Sequence, residues 1–450
     1  MALDIYNLLN KISFTRVSGS EEELKCATLL KEQIENLGVN AQIIPFEVQD
    51  YNVTKACLKN EDKTYEVSGI KGSGSNTITA PFYYMETTTD IDKYELDGKI
   101  VLINGVVNVP IYKKLLKYNA KAFISYSGDI TDTIDNSDLM NKELRDVLRN
   151  KGIIPGVHTR VQTAIDLVRD NPKELTLEIE QTELKKQSHN VIAEIEGTTY
   201  KDEIITITAH YDSVEFSKGA YDNGAGSVLI MRLLEFFKNN PPKRTLRFIW
   251  CGSEERGLLG SKAYVASLTE EELDKIIFNI NVDVAGSVLG CEFANIMAEE
   301  ALVNYTEYLA KEISFPILVR QDIYSSDSIP FSDKGIPAIN LMRFGRPGTA
   351  HIHDRHDTMS FISKESLEHT YKFIEYISNN EKVVVVFPNG YVWCVGSGSA
   401  NVTVRITNLD DTIVEGTITF ESHLSFIEDF IALLLRSFFI IASRISNVFK

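Results

Sequence analysis

Cysteine is scarce and scattered in this chain. Five residues (Cys26, Cys57, Cys251, Cys291 and Cys394) are spread over 450 positions, and no CxxC pair occurs. An odd, dispersed set offers neither a disulfide framework nor a thiolate-held zinc site. It points to a reducing compartment, and any metal must be held by histidine and carboxylates. Positive charge is also short: 46 Lys+Arg stand against 63 Asp+Glu, a formal net charge of −17. Phosphate backbones need the opposite balance, so nucleic acid is excluded as the main partner, whereas cations suit an acidic chain. Long hydrophobic runs are missing too. The first twenty residues carry no basic region ahead of an apolar core and no small-residue cleavage site, so no secretory signal and a cytoplasmic location are expected. The most apolar late stretch, 426–442, contains Glu428, Asp429 and Arg436. Its uninterrupted part falls short of the roughly 20 residues of a spanning helix, which favours a packed or amphipathic helix over membrane association.

What is present is ordinary for a globular chain with a real core: 44% apolar and 24% charged residues. Leu3–Ile12 reads as a short helix. Ser20-Glu21-Glu22-Glu23 resembles a capping box opening a second helix, which Gly38 ends. A strand is expected over Asn40–Val48. From Tyr51 to about 175 the pattern turns to short β-like runs with few helices and no clustered ligands, which suggests an inserted β-rich domain. From about 185 to 380 strands alternate with helices. With residues 1–50 this makes a discontinuous α/β domain, its sheet mixed but mostly parallel and sandwiched by helices. Residues 381–450 form a tail of β-strands and a terminal helical stretch, without assignable chemistry.

The β-branched run Ile204-Ile205-Thr206-Ile207-Thr208-Ala209 delivers His210, Tyr211 and Asp212. Three further clusters follow: Asp222-Asn223-Gly224 before a helix, Glu254-Glu255 within GSEERG, and Asn281-Val282-Asp283. The first, third and fourth lie at strand ends, where open α/β sheets bind ligands, so they should converge in space. His351, His353 and His356 add imidazoles. Imidazole and carboxylate donors suit Zn²⁺, and two such ions about 3.5–4 Å apart can share a carboxylate and a hydroxide. The charges balance: +4 from two zincs against Asp222, Asp283, Glu255 and one hydroxide. Glu254 is then left over as a general base.

This order of motifs (HxD, DN before a helix, GSEE-x-GLLGS, VD and H-x-x-x-D-T) resembles the di-zinc exopeptidase family of leucyl aminopeptidases, aminopeptidase Y and glutamate carboxypeptidase. DGKIVLING and IIPGVHTRVQTAIDLV within 51–175 resemble the protease-associated (PA) domain that many members carry. The resemblance implies His210 and Asp283 on one zinc, Glu255 and His353 on the other, Asp222 bridging through a cis Asp222-Asn223 peptide, Glu254 as base and Asp212 orienting His210. It selects His353 because Asp357-Thr358 follow at the family's offset; His351 and His356 are left as neighbours or surface. Ser326-Asp327-Ser328 departs from the family's Ser-Asp-His. Tyr324 and Arg343 are candidates for substrate binding, as oxyanion donor and carboxylate partner, the alternatives being a core or surface tyrosine and, favoured for Arg343, a structural ion pair. The expected function is removal of N-terminal residues from peptides, the alternatives being a carboxypeptidase, a single-zinc glutaminyl cyclase, or a non-catalytic receptor-like homologue.

Overall fold

The computed structural model describes residues 3–89, 96–346 and 348–378, and the backbone of four strands between 384 and 422. Two helices open the chain. α1 (Ile5–Ile12) buries Ile5, Leu8, Leu9 and Ile12, a stripe at helical spacing. α2 (Glu21–Asn36) begins where Ser20 Oγ accepts the Glu23 backbone N–H at 3.1 Å. The reciprocal half of the expected capping box does not form. Glu23 turns inward instead: it accepts from the Gly19 N–H (2.7 Å) and Ser188 Oγ (2.6 Å) and is fully buried.

β1 (Ala41–Lys59) runs on well past the expected end at Val48. Then come β2 (Thr64–Tyr65), β3 (Ser68–Gly69), β4 (Asn76–Met85), β5 (Ile100–Ile103), α3 (Val109–Lys117), β6 (Ala122–Ser127), α4 (Asp146–Arg149), β7 (Gly156–Arg160) and α5 (Val161–Asp170). The chain returns along β8 (Glu174–Ile195), which pairs antiparallel with β1 from Ala41↔Ala193 to Lys59↔Thr176. From β8 the sheet runs β4-β5-β6-β7-β3, with β4 to β7 parallel. β5 buries both faces, Val101 and Ile103 in one apolar cluster and Ile100 and Leu102 in another, as a continuous apolar strand must. This segment has its own cores, yet Tyr51 lies inside an unbroken ladder, opposite Glu183. The two parts of the molecule share two continuous strands.

The α/β part follows as β9 (Tyr200–His210), α6 (Ala225–Asn239), β10 (Arg244–Cys251), α7 (Leu259–Ser267), α8 (Glu270–Asp274), β11 (Ile276–Val282), β12 (Cys291–Met297), α9 (Glu300–Glu312), β13 (Ile317–Gln321), α10 (Ile329–Ser332), β14 (Ala338–Phe344) and α11 (Lys364–Ser378). Its strands lie in the order β13-β12-β14-β11-β9-β10-β8. β14, β11, β9 and β10 are parallel, as are β12 and β13; β8 and β12 join them antiparallel. This is the mixed, mostly parallel, helix-covered sheet expected from the pattern. One face packs Ile207, Ala209, Phe248, Trp250, Ile280 and Val282 with α1, α2 and α6. The other packs Ile204, Ile249 and Ile276 with Tyr264 of α7 and Phe331 of α10. Each fully buried aliphatic or aromatic side chain contributes about 1.5–3 kcal/mol.

On that second face β9 alternates into polar residues as it nears its end. Thr208 Oγ1 donates to Asn281 Oδ1 (2.7 Å), and Asn281 Nδ2 donates to Ser326 Oγ (2.7 Å) and Asn340 Oδ1 (2.6 Å). This buried ladder leads to His210. The chain leaves β9 to one side for β10 and returns across it to β11, so a topological switch point lies at the end of β9.

Two antiparallel pairs, β15 (Val384–Val386) with β16 (Val392–Cys394) and β17 (Gly398–Thr407) with β18 (Ile413–Ser422), agree with the strands expected of the tail. The stretch 426–442 lies outside the described residues. Among the described residues no helix is long and apolar enough to cross a membrane.

Burial, and then the nearby Asp212 carboxylate, push the Glu23 carboxyl up to about 8. The folded state therefore binds a proton that the unfolded state releases, between the ordinary carboxyl range near 4.5 and pH 8. Stability should fall as pH rises through this window, by a few kcal/mol in order of magnitude. Glu23→Gln should remove that slope in a pH series of thermal unfolding. An unchanged slope would show that Glu23 is ionised in the fold.

Candidate metal centre

The parallel strands β9, β10 and β11 end side by side, and each hands its next residues to one crevice. His210 ends β9 and is buried. The loop beyond it is tied down by Arg16, fully buried, whose guanidinium donates to the carbonyls of Tyr211, Ile12 (2.6 Å), Phe14 (2.8 Å), Lys218 (2.7 Å) and Gly219 (2.9 Å). The chain then reaches Asp222, whose peptide to Asn223 is cis. Asn223 Nδ2 donates to the Val282 carbonyl at 2.7 Å. A Cβ on Gly226 would collide with that carbonyl and with the Asn223 amide, so only glycine lets α6 start this close to β11.

The turn after β10 carries Glu254 and Glu255. Asp212 holds it: Oδ1 accepts the Glu254 N–H (3.0 Å) and Oδ2 the Glu255 N–H (3.3 Å). Asp212 Oδ1 also lies 3.4 Å from His210 Nδ1. One carboxylate thus sets two strand ends relative to each other. Arg256, next in the turn, pairs with Glu143 (Nε–Oε2 2.7 Å), reaching into the segment between β1 and β8. The loop after β14 delivers His353, with φ +62°. It is fastened from two sides. Asp357 accepts the N–H groups of Tyr221 (2.7 Å) and Asp222 (3.1 Å), and Arg355 Nε donates to Asp138 at 2.8 Å.

The donor atoms now face one another. His210 Nε2 lies 3.1 Å from Asp222 Oδ1, 3.3 Å from Asp283 Oδ1 and 3.9 Å from Glu254 Oε2. His353 Nε2 lies 3.1 Å from Asp222 Oδ2 and 3.1 Å from Glu255 Oε2. A ring nitrogen carries one proton and cannot satisfy two carboxylates, whereas a cation at the common point can. Ligand atoms around a tetrahedral zinc with bonds of about 2.0–2.1 Å are roughly 3.3–3.4 Å apart, close to these separations. His210, Asp222 and Asp283 could hold one ion, and Asp222, Glu255 and His353 a second, with one oxygen of Asp222 in each group.

Electrostatics agree. Burial opposes protonation of His210, but Glu254, Asp283, Asp212 and Asp222 outweigh it and raise its pKa well above the ordinary range. Burial likewise opposes the His353 charge, and Glu255 and Asp222 raise it to about 11. Burial lifts Glu254 well above the usual carboxylate range, His210 opposing and Asp283 and Asp327 adding to it. This concentrated negative potential is what a multivalent cation offsets.

The chain has relatives. The model of Peptidase family M28 matches residues 190–378. Aminopeptidase YwaD of Bacillus subtilis (strain 168) is 30% identical over 370 residues, covering 78% of each chain. This chain belongs to peptidase family M28. Among solved structures, the M28 chain superposes on a zinc aminopeptidase from Bacillus subtilis with a TM-score of 0.68 and 27% identity, over 83% of this chain and 93% of that one. An aminopeptidase from Aneurinibacillus sp. strain AM-1 gives a TM-score of 0.65 at 27% identity, over 83% and 92%.

Other expected residues of the M28 chain divide. Tyr324 packs edge-on against Phe344 (6.2 Å between rings). Burial, with Asp283, Asp222 and Glu254 close by, raises its phenol far above the ordinary value and keeps it a neutral donor beside the centre. Arg343 takes the ion-pair alternative. Its guanidinium is occupied by Glu292 (3.0 Å) and the Ser287 carbonyl (2.6 Å), a structural ion pair rather than a substrate contact. In Ser326-Asp327-Ser328, Ser326 joins the polar ladder and Asp327 is buried with Ser261 Oγ on Oδ1 (2.5 Å), its carboxyl raised to about 7 chiefly by burial. Arg16, Asp357, Arg256 and Arg355 were given no role from the sequence. Asp357 alone carried a signal, its fixed distance from His353.

Asp212→Ala should lower metal affinity about 10–100-fold, since the Glu254-Glu255 turn and the His210 ring lose their common partner. Titration against a chromophoric chelator measures this. Affinity equal to that of the parent protein would remove Asp212 from the positioning of the ligands.

Proposed function

We propose that this chain is a zinc-dependent aminopeptidase carrying two Zn²⁺ per chain. His210, Asp222 and Asp283 would hold one ion and Asp222, Glu255 and His353 the other. The observation that carries the reading is the Asp222 carboxylate, whose two oxygens each meet a different imidazole at 3.1 Å. Family membership and relatives named as aminopeptidases support it.

When bound, the two ions supply Lewis acidity at the scissile carbonyl and lower the pKa of water at the site. Glu254 is the carboxylate left outside both groups, and burial raises its affinity for a proton. It takes the proton from the attacking water and passes it to the leaving amine nitrogen. Asp212 fixes Glu254 through the backbone N–H while leaving its carboxylate free. Tyr324, neutral and half-buried with Asp283, Asp222 and Glu254 close by, is read as the donor to the developing oxyanion. The substrates are peptides with a free N-terminus.

We read residues 1–50 and 185–380 as the catalytic unit, 51–175 as a PA-like insertion and 381–450 as a tail without assigned chemistry. Support for an active part for the insertion is local: its Glu143 and Asp138 pair with Arg256 and Arg355, the residues beside Glu255 and two after His353. A reducing, cytoplasmic setting agrees with Cys26, Cys57, Cys251 and Cys291, which are unpaired among the described residues.

Glu254→Gln should retain the full zinc content of the parent protein while turnover drops about 10²–10⁴-fold. Wild-type turnover in that variant would assign the base elsewhere. Dipeptide panels test direction: N-terminally free substrates should be cleaved, chelator should abolish cleavage, and added zinc should restore it. Hydrolysis of N-blocked peptides with a free C-terminus would overturn the aminopeptidase reading.

A further inference from the structure

The loop that presents His353 carries a second group of donors, separate from the two groups of the buried centre. His351 Nδ1 lies 3.1 Å from Asp354 Oδ2, and His356 Nδ1 lies 3.3 Å from Asp354 Oδ1. The two imidazole rings are 5.0 Å apart. One donor atom from each of the three residues lies within 4.8 Å of the others. All three side chains are partly exposed, at 37%, 39% and 43%, so an ion can enter from solvent. We infer that His351, Asp354 and His356 form a third metal site, for a divalent transition ion such as Zn²⁺ or Ni²⁺.

Three features support a built site over a chance surface contact. Two imidazoles converge on one carboxylate, a donor set that leaves further positions for water and favours transition ions over Mg²⁺ and Ca²⁺. The backbone between them is already set: Asp354 Oδ1 accepts the His356 N–H at 2.7 Å, while Arg355 and Asp357 anchor the loop to Asp138 and to the Tyr221 and Asp222 amides. Little ordering is left for the ion to impose. The donor atoms, all within 4.8 Å of one another, need only small side-chain adjustments to reach the roughly 3.3–3.4 Å separations around a tetrahedral ion, and the His351 ring is already seated against His356 and Phe361, with ring centres 5.0 and 5.6 Å away. His353 turns the other way, toward Asp222 and Glu255, so an ion held by its neighbours would clamp the loop without competing for it.

The test is metal stoichiometry on the untagged, full-length, metal-depleted chain, by equilibrium dialysis against Zn²⁺ with elemental analysis. The parent protein should bind three equivalents and the His351→Ala/His356→Ala variant two. Asp354→Asn, which keeps an acceptor for the His356 N–H, should weaken the third equivalent at least tenfold. Asp222→Asn should lose zinc from the buried centre and keep the outer ion, which separates failure of the two-zinc reading from failure of this one. Hydrogen exchange across 351–358 should slow with the third equivalent in the parent protein and not in the double variant. Saturation of the parent at two equivalents, with the same two bound by the double variant, would overturn the site. So would a third equivalent that survives loss of both histidines.

Discussion

Buried negative charge is the constraint around which this molecule is arranged. Asp212, Asp222, Asp283, Asp327 and Asp357 are all buried, and Glu254 and Glu255 stand among them with only two imidazoles for company. Taking carboxylates out of water is costly unless each is paired or hydrogen-bonded. Burial raises Glu254, Glu255, Asp327 and Asp357, while Asp222 is driven low because both histidines, His210 and His353, bond to it and outweigh its desolvation. Hydrogen bonds settle Asp212 and Asp357, each of which receives two backbone N–H groups. Asp222, Asp283, Glu255 and both imidazoles have no partner set that protons alone complete, and two divalent ions would complete it.

The scaffold supplies the precision such ions need. Ligands projecting from the ends of parallel strands inherit the spacing of the sheet, and the loops that add Asp222 and His353 are held by groups that touch no substrate. Arg16 gathers carbonyls from the N-terminal segment and from the Tyr211–Gly219 loop. Asp357 links the His353 loop to the Asp222 backbone. Arg256 and Arg355 extend this support into the segment between β1 and β8, which is joined to the α/β part through two uninterrupted strands rather than a hinge. Glu143 and Asp138 of that segment thus meet the residues beside Glu255 and two after His353.

Where local pattern and tertiary packing agree, sequence reading succeeds. β9 and β5 are legible because a strand buried on both faces must be continuously apolar or β-branched. β12 and β13 escape notice because Glu292, Asn295, Arg320 and Gln321 interrupt any apolar run. β1 runs past Val48 because Gln49–Val53 pair with Lys185–Gln181 of β8 through largely polar positions that local pattern does not mark as strand, before both strands turn apolar again at Leu58, Leu175, Leu177 and Ile179. Glu23 breaks its capping box because Ser188 and the Gly19 amide offer it buried partners that local sequence does not reveal. Arg343 is free in the sequence and paired in the fold, since its partner Glu292 lies on the neighbouring strand.

The sequence alone determined the chemistry on offer: a family pattern of histidines and carboxylates, without thiolates, carried at strand ends of an α/β chain. It did so because donor type and strand periodicity are local properties, written within a few residues of each motif. Tertiary structure alone decided how those donors are shared. Only in the fold do the two oxygens of Asp222 reach His210 and His353, 143 positions apart, and only there does Asp212 bind the turn that carries Glu254 and Glu255. Distances of about 3 Å between residues far apart in sequence are set by strand order and loop anchoring, and no local pattern encodes them.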